Sequence, residues 1–207
     1  IYTGEDTLSL HDALPISCGG CTYQNLSYED QVDLKTSQVH KLLKNNIKSE
    51  YILEKTIESP NQFEYRNKME FTFGNSEKDG PLTLGLHKKG SFYDIINVSN
   101  CQLMDDDFRK ILDLSVNYFA NKNLPFYHKM THEGYLRNLV IRKGDKTKEL
   151  LVNLITSTQL MFDMTEWLEM ILGLNLTSKI IGVLHTLNDN VADTVNSEKE
   201  IILFGSR

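Results

Sequence analysis

The amino-acid sequence predicts an α+β fold, a largely antiparallel sheet with flanking helices. Three observations carry that expectation. Short segments of period-two alternation recur along the chain, several joined by turn residues at hairpin spacing. Between them lie segments with apolar residues at helical period. The composition, 40% hydrophobic and 24% charged over 207 residues, is that of an ordinary soluble chain long enough to bury a real core.

The elements follow in order. Ser27-Tyr28-Glu29-Asp30 resembles a capping box with Asp30 in the acidic position, and predicts a helix running to about Asn46. Val32, Val39, Leu42 and Leu43 give that helix an apolar stripe, with Lys35, Lys41 and Lys44 off it. Residues 65–73 alternate, Tyr65, Met69, Phe71 and Phe73 sharing one parity, and read as a strand. A turn cluster over residues 75–81 leads to a second strand carrying Leu82, Leu84 and Leu86, so the two form a hairpin. Residues 92–98 read as a short strand that delivers Cys101. Residues 105–122 read as a helix, with Phe108, Ile111, Leu112, Ser115 and Phe119 on one face and Asp105, Asp106 and Asp107 at its start. Residues 136–142 and 149–155 flank Gly144-Asp145 as another hairpin. Thr165 is expected to cap a short helix bearing Trp167, Leu168, Ile171 and Leu172, and residues 180–187 and 200–204 read as the last two strands.

The net charge of −6 and the pI near 5.5 argue against nucleic-acid binding if taken as a sum, but the distribution of charge decides the matter. No apolar run approaches the roughly 20 residues of a membrane helix, and the start lacks the pattern of a secretory signal, so the reading is cytoplasmic with no membrane association. Residues 1–17 show no sustained periodicity. His11-Asp12-Ala13-Leu14-Pro15-Ile16-Ser17 resembles the translation of a sequencing-adapter oligonucleotide, and the segment is set aside from fold reasoning as a non-native leader or a disordered tail. Both ends read as cut. The domain reading is a cluster-binding segment at 18–23, a central α+β domain at 24–187, and a lead-in to a further domain at 188–207.

The most informative motif is Cys18-Gly19-Gly20-Cys21, with Cys101 as its distant companion; these are the three cysteines of the chain. Two thiolates two residues apart, with glycines that let the backbone turn, suit one metal or cluster. A disulfide is the competing account, and the odd count in an intracellular-looking chain favours metal. A fourth ligand is needed for zinc or a 4Fe-4S cluster. His128 and His132 have a zinc-finger-like gap but lie far from Cys21, and each reads more simply as a surface or satisfied histidine. A thioredoxin-type redox pair would require a strand before Cys18, which the sequence does not show, and Cys101 alone would read as a small buried hydrophobe.

Cations accumulate on the predicted strands. Arg66 and Lys68 share a face opposite Tyr65, Asn67 and Met69, and Lys88, Lys89, Arg137 and Arg142 lie at the ends or faces of other strands. All six are candidate phosphate contacts, against the alternative of an ordinary solvated face. Neither a G-x-G-x-x-G fingerprint nor a P-loop is present, and no complete active site is visible.

Several of these segments together resemble the RNA uracil-5-methyltransferases, most closely the type acting on 23S ribosomal RNA. The resemblance is carried by Cys18-Gly19-Gly20-Cys21-Thr22-Tyr23-Gln24 with Tyr28, Gln31 and Lys35 following, by Tyr65-Arg66-Asn67-Lys68-Met69-Glu70, by Leu84-Gly85-Leu86-His87 through Asn97-Val98-Ser99-Asn100-Cys101-Gln102-Leu103, and by Leu136-Arg137-Asn138-Leu139-Val140-Ile141-Arg142. It implies a 4Fe-4S cluster held by Cys18, Cys21 and Cys101 with a fourth cysteine that would fall at position 12, where this chain has Asp12. It also implies S-adenosylmethionine as methyl donor, 23S ribosomal RNA as partner, a monomer, and a catalytic Rossmann-like domain beyond Arg207. On that reading this chain carries the cluster and an RNA-facing scaffold without catalytic residues, and is inactive alone. A zinc-stabilised RNA-binding module and a small electron-transfer protein are the alternatives.

Overall fold

The computed structural model describes residues 17–23, 25–190 and 199–207. Most of the leader, Asp12 included, and Gln24 lie outside the described residues. Among the described residues three helices and seven strands follow in chain order: α1 (Tyr28–Asn46), β1 (Lys68–Gly74), β2 (Thr83–His87), β3 (Ile95–Asn97), α2 (Asp106–Asn121), β4 (Leu136–Lys143), β5 (Glu149–Thr156), α3 (Thr165–Leu172), β6 (Lys179–Leu187) and β7 (Lys199–Gly205). The strands form one sheet in the order β3-β2-β1-β4-β5-β6-β7. Every neighbouring pair is antiparallel except β5 and β6, which are parallel and joined through α3, because parallel neighbours require a crossover connection. The expected α+β class and mostly antiparallel sheet are therefore found.

The alternation in β1 sets which face is buried. Met69, Phe71 and Phe73 are buried, and Lys68, Glu70 and Thr72 point the other way. The register places Phe73 against Leu84, Phe71 against Leu139, and Met69 against Ile141, so one face of the central strands is continuously apolar. The helix α2 lays Phe108, Ile111, Leu112 and Phe119 onto it, and α3 adds Trp167 and Ile171. Phe119 sits among Phe73, Tyr118, Phe162 and Trp167 with ring centroids 5.2–6.5 Å apart. Each fully buried side chain of this size contributes about 1.5–3 kcal/mol. The opposite face is more polar: Asn138 donates to Thr72, and Thr186 to Asn153.

Helix ends follow local chemistry. Ser27 caps α1 by accepting from the Asp30 amide at 3.1 Å, and its hydroxyl donates to the Asp30 carboxylate, so the N-cap half of the expected capping box forms and the acidic side chain meets the Ser27 hydroxyl. Asp105 caps α2 by accepting from the Asp107 amide. Thr165 does not cap α3; the Asp163 carboxylate accepts from both its amide and its hydroxyl, which places Thr165 inside the first turn.

Three further expectations are corrected. Tyr65 and Asn67 lie before β1 and are exposed. The strand expected over 92–98 is confined to Ile95–Asn97, because residues 88–94 form a tight turn instead. The stripe of α1 is largely unburied: Val32 is covered, whereas Val39 and Leu42 are exposed. The last strand, expected over 200–204, is found as β7 at the edge of this same sheet. No helix among the described residues is long and apolar enough to cross a membrane.

Candidate nucleic-acid interface

The Cys18–Cys21 segment is fastened to the end of the β2 strand. The Gly19 amide donates to the His87 carbonyl at 3.0 Å and the Lys89 amide to the Ser17 carbonyl at 2.7 Å, so residues 17–19 run antiparallel to 87–89 with Cys18 opposite Lys88. Gly19 permits this approach: a side-chain carbon there would lie 3.0 Å from the His87 carbonyl oxygen. Residues 64–66 run beside 102–104, with the Arg66 amide donating to Leu103. That pairing carries Arg66 toward the cysteines. Cys101 is fixed by its own amide on Val98 and by Arg109, which donates to its carbonyl.

Cys18 and Cys101 are buried and Cys21 is half-buried, and all three are free thiols. Burial pushes the Cys18 thiol above its ordinary value; the Gly20 amide, which donates to its sulfur at 3.4 Å, opposes this, the adjacent Cys101 adds to it, and Arg66 opposes it. The two distant cysteines are thus electrostatic neighbours, and Cys21 packs against the same core. Among the described residues no group of three or more His, Cys, Asp or Glu side chains is arranged to hold a metal ion. The three thiols do not make up the four-thiolate set of a 4Fe-4S cluster. His128 and His132 serve locally: His128 accepts from the Met130 amide, and the ring of His132 bonds the Tyr127 hydroxyl.

Beside the cysteine segment lies an open cleft of about 780 Å³. Five cations line it: Arg66, Lys68, Lys88, Lys89 and Lys129, with one acid, Glu70. Four of the six sequence candidates are therefore brought together although they come from separate segments. Lys68 pairs with Glu70 at 3.2 Å and Lys88 approaches Asp94 at 3.9 Å, and both pairs are open to solvent, where such contacts are worth about 0–1 kcal/mol and yield readily to phosphate. Arg142 is exposed directly across from Lys68 on β4 and extends the positive strip. Arg137 is placed differently. It is 5% exposed, donates to the Asn188 carbonyl at 2.8 Å, and lies over the Tyr127 ring at 4.2 Å. The β4 ladder slips between Leu136 and Asn138, and Arg137 falls in that irregularity.

Two participants escaped the sequence reading. Lys129 sits in a loop with no pattern to announce it, and reaches the cleft because residues 126–136 fold back on themselves through Tyr127 and His128. Phe92, counted as a strand residue, instead stands at the rim of the cleft, 84% exposed.

No protein-family model matches the chain. An uncharacterized RNA methyltransferase of Caldanaerobacter subterraneus is 48% identical over 188 residues, 91% of this chain and 42% of that protein. One from Clostridium acetobutylicum is 46% identical over 188 residues, 91% of this chain and 41% of that protein. Among solved structures, Pyrococcus abyssi tRNA (uracil-54, C5)-methyltransferase in complex with S-adenosyl-L-homocysteine shares the fold with a TM-score of 0.67 and 21% identity, over 93% of this chain and 42% of that one. By sequence, then, the chain is similar to these RNA methyltransferases, of whose length it spans about two-fifths.

Proposed function

We propose that this chain is the RNA-facing part of an S-adenosylmethionine-dependent RNA (uracil-5-)-methyltransferase. The observation that carries the reading is the cleft lined by Arg66, Lys68, Lys88, Lys89 and Lys129 on a chain of net charge −6. A concentrated positive strip on an acidic protein is the electrostatic footprint of phosphate binding. The uracil-5 assignment draws on the sequence motifs and on the fold shared with an enzyme named for that reaction. S-adenosylmethionine would supply the methyl group, and the groups that carry it to uracil C5 belong to parts of the enzyme other than this sheet. The segment by itself is accordingly expected to bind RNA and to transfer no methyl group.

The finer reading is 23S ribosomal RNA as substrate, acted on in the cytoplasm by a monomer. Cys18, Cys21 and Cys101 are proposed as three of the ligands of a 4Fe-4S cluster whose fourth cysteine would fall at position 12, where this chain has Asp12. Filter binding of the chain to 23S and transfer RNA fragments at two salt concentrations tests the interface: tighter, salt-sensitive binding to the ribosomal fragment supports the reading, and equal or absent binding overturns it. Anaerobic reconstitution with iron and sulfide, followed by Mössbauer spectroscopy, tests the ligands. A 4Fe-4S signature lost in Cys101→Ser supports them; tight stoichiometric zinc would favour a zinc-stabilised binding module.

A further inference from the structure

The turn between β2 and β3 is built to hold an aromatic ring in water. Lys88 donates its amide to the Asp94 carbonyl, Ser91 donates its amide to Lys88, and Gly90 takes a φ of +78°, so residues 88–94 close on themselves. The Ser91 hydroxyl accepts from the Tyr93 and Asp94 amides at 3.3 and 3.1 Å, locking the descending side. Tyr93 reaches across to Met130, tying the turn to the loop that carries Lys129. At the apex Phe92 is 84% exposed. A large apolar side chain on a hydrogen-bonded turn is costly to leave in water, and this one borders both the cationic cleft and the adjoining groove lined by Phe126, Tyr127 and Asn138.

Resting on the RNA-binding reading, we propose that Phe92 is a stacking platform for an unpaired base, and that the cleft therefore takes single-stranded RNA. Lys88 and Lys89, which precede Phe92 in the same turn, hold the backbone phosphates while the ring covers one base. Stacking needs an exposed π-face pre-set at a fixed distance from phosphate ligands, and the closed turn supplies that. A duplex keeps its bases stacked on one another and offers the ring nothing, so it meets the lysines alone.

The test titrates the full 207-residue chain with a fluorescein-labelled single-stranded RNA of mixed sequence and with a blunt RNA duplex of equal phosphate number. Phe92→Ala is expected to weaken single-strand binding about tenfold, to leave duplex binding unchanged, and to abolish quenching of a 2-aminopurine in the strand. Phe92→Trp should keep all three properties. The paired variant Lys88→Ala, Lys89→Ala should weaken both RNAs alike. If that pair weakens binding while Phe92→Ala affects neither RNA, or both equally, the stacking inference falls and the interface reading stands. If the unaltered chain binds neither RNA, the interface reading falls and takes this inference with it.

Discussion

Asp107→Ala should be the most destabilising polar substitution in the chain. Asp107 lies in the first turn of α2, fully buried, and its carboxylate accepts from the Thr177 amide and hydroxyl at 2.8 Å each and from the Ser178 amide at 2.9 Å. It thereby ties the start of α2 to the entry of β6, with the Lys143 ammonium 3.9 Å away and itself bonded to Asp105. Truncation leaves two backbone donors without acceptors at about 1–3 kcal/mol each and removes a charge beside a buried ammonium, for a total loss of about 3–5 kcal/mol. With a urea slope of roughly 2 kcal/mol/M, the midpoint should fall by about 2 M. The lone Trp167, fully buried and donating to Ser115, reports the transition by fluorescence. Asp107→Asn keeps one acceptor oxygen and should lose about half as much. Burial drives the Asp107 carboxyl up, but the Thr177 and Ser178 donors outweigh it and hold the group below its ordinary 3.8. Its contribution is therefore complete above that pH and fades as the pH falls below it. A loss under about 1 kcal/mol for Asp107→Ala at neutral pH would refute this account of the α2–β6 junction.

Three other outcomes are expected. Phe119→Ala empties the centre of the aromatic cluster and should cost about 3–5 kcal/mol, read as a lower thermal midpoint with a shifted Trp167 emission; an unchanged emission would mean that the rings do not share one environment. Lys88→Ala with Lys89→Ala should reduce the slope of log K against log salt for RNA binding by about 2, while a slope that stays put would remove these lysines from the interface. Cys21 should react with a thiol reagent in the native protein well before Cys18 and Cys101, which are buried; three thiols titrating at one rate would contradict the placement of the cysteine segment.

Where pattern and packing coincide, the sequence is readable. The α2 face, the β4–β5 hairpin and the Met69-Phe71-Phe73 alternation each repeat one signal often enough to outweigh local exceptions, and each is found buried as expected. The pattern misleads where burial is decided elsewhere. The apolar stripe of α1 is real, yet Val39 and Leu42 stay exposed among the described residues. Phe92 is apolar and follows a turn, so it reads as strand, but Ser91 holds it off the sheet. Arg137 shares a segment with solvent-facing residues, and the ladder slip beside it was invisible without the partner strand. The parallel β5–β6 pair is a matter of which strands meet, and period-two alternation does not record that. The cationic cleft was legible as residue types and not as a place: its lysines and arginine are dispersed along the chain, and the β2 turn, the 64–66 crossing and the Lys129 loop assemble them.

The strand order has a kinetic consequence. Reading across the sheet, β3-β2-β1 is a meander closed by nearby turns, and β4-β5-β6-β7 is a second set whose neighbours follow one another along the chain. One seam joins the two sets, Lys68 through Thr72 against Arg142 through Asn138, and its partners are separated by everything from Gly74 to Leu136. Closing that long loop carries the largest entropic cost of any pairing in the sheet, while the remaining neighbours can pair early. The rate of folding should thus be set at the β1–β4 seam. Conservative truncations there, such as Ile141→Val, should slow folding, whereas truncations at β2–β3 or β6–β7 should mainly hasten unfolding.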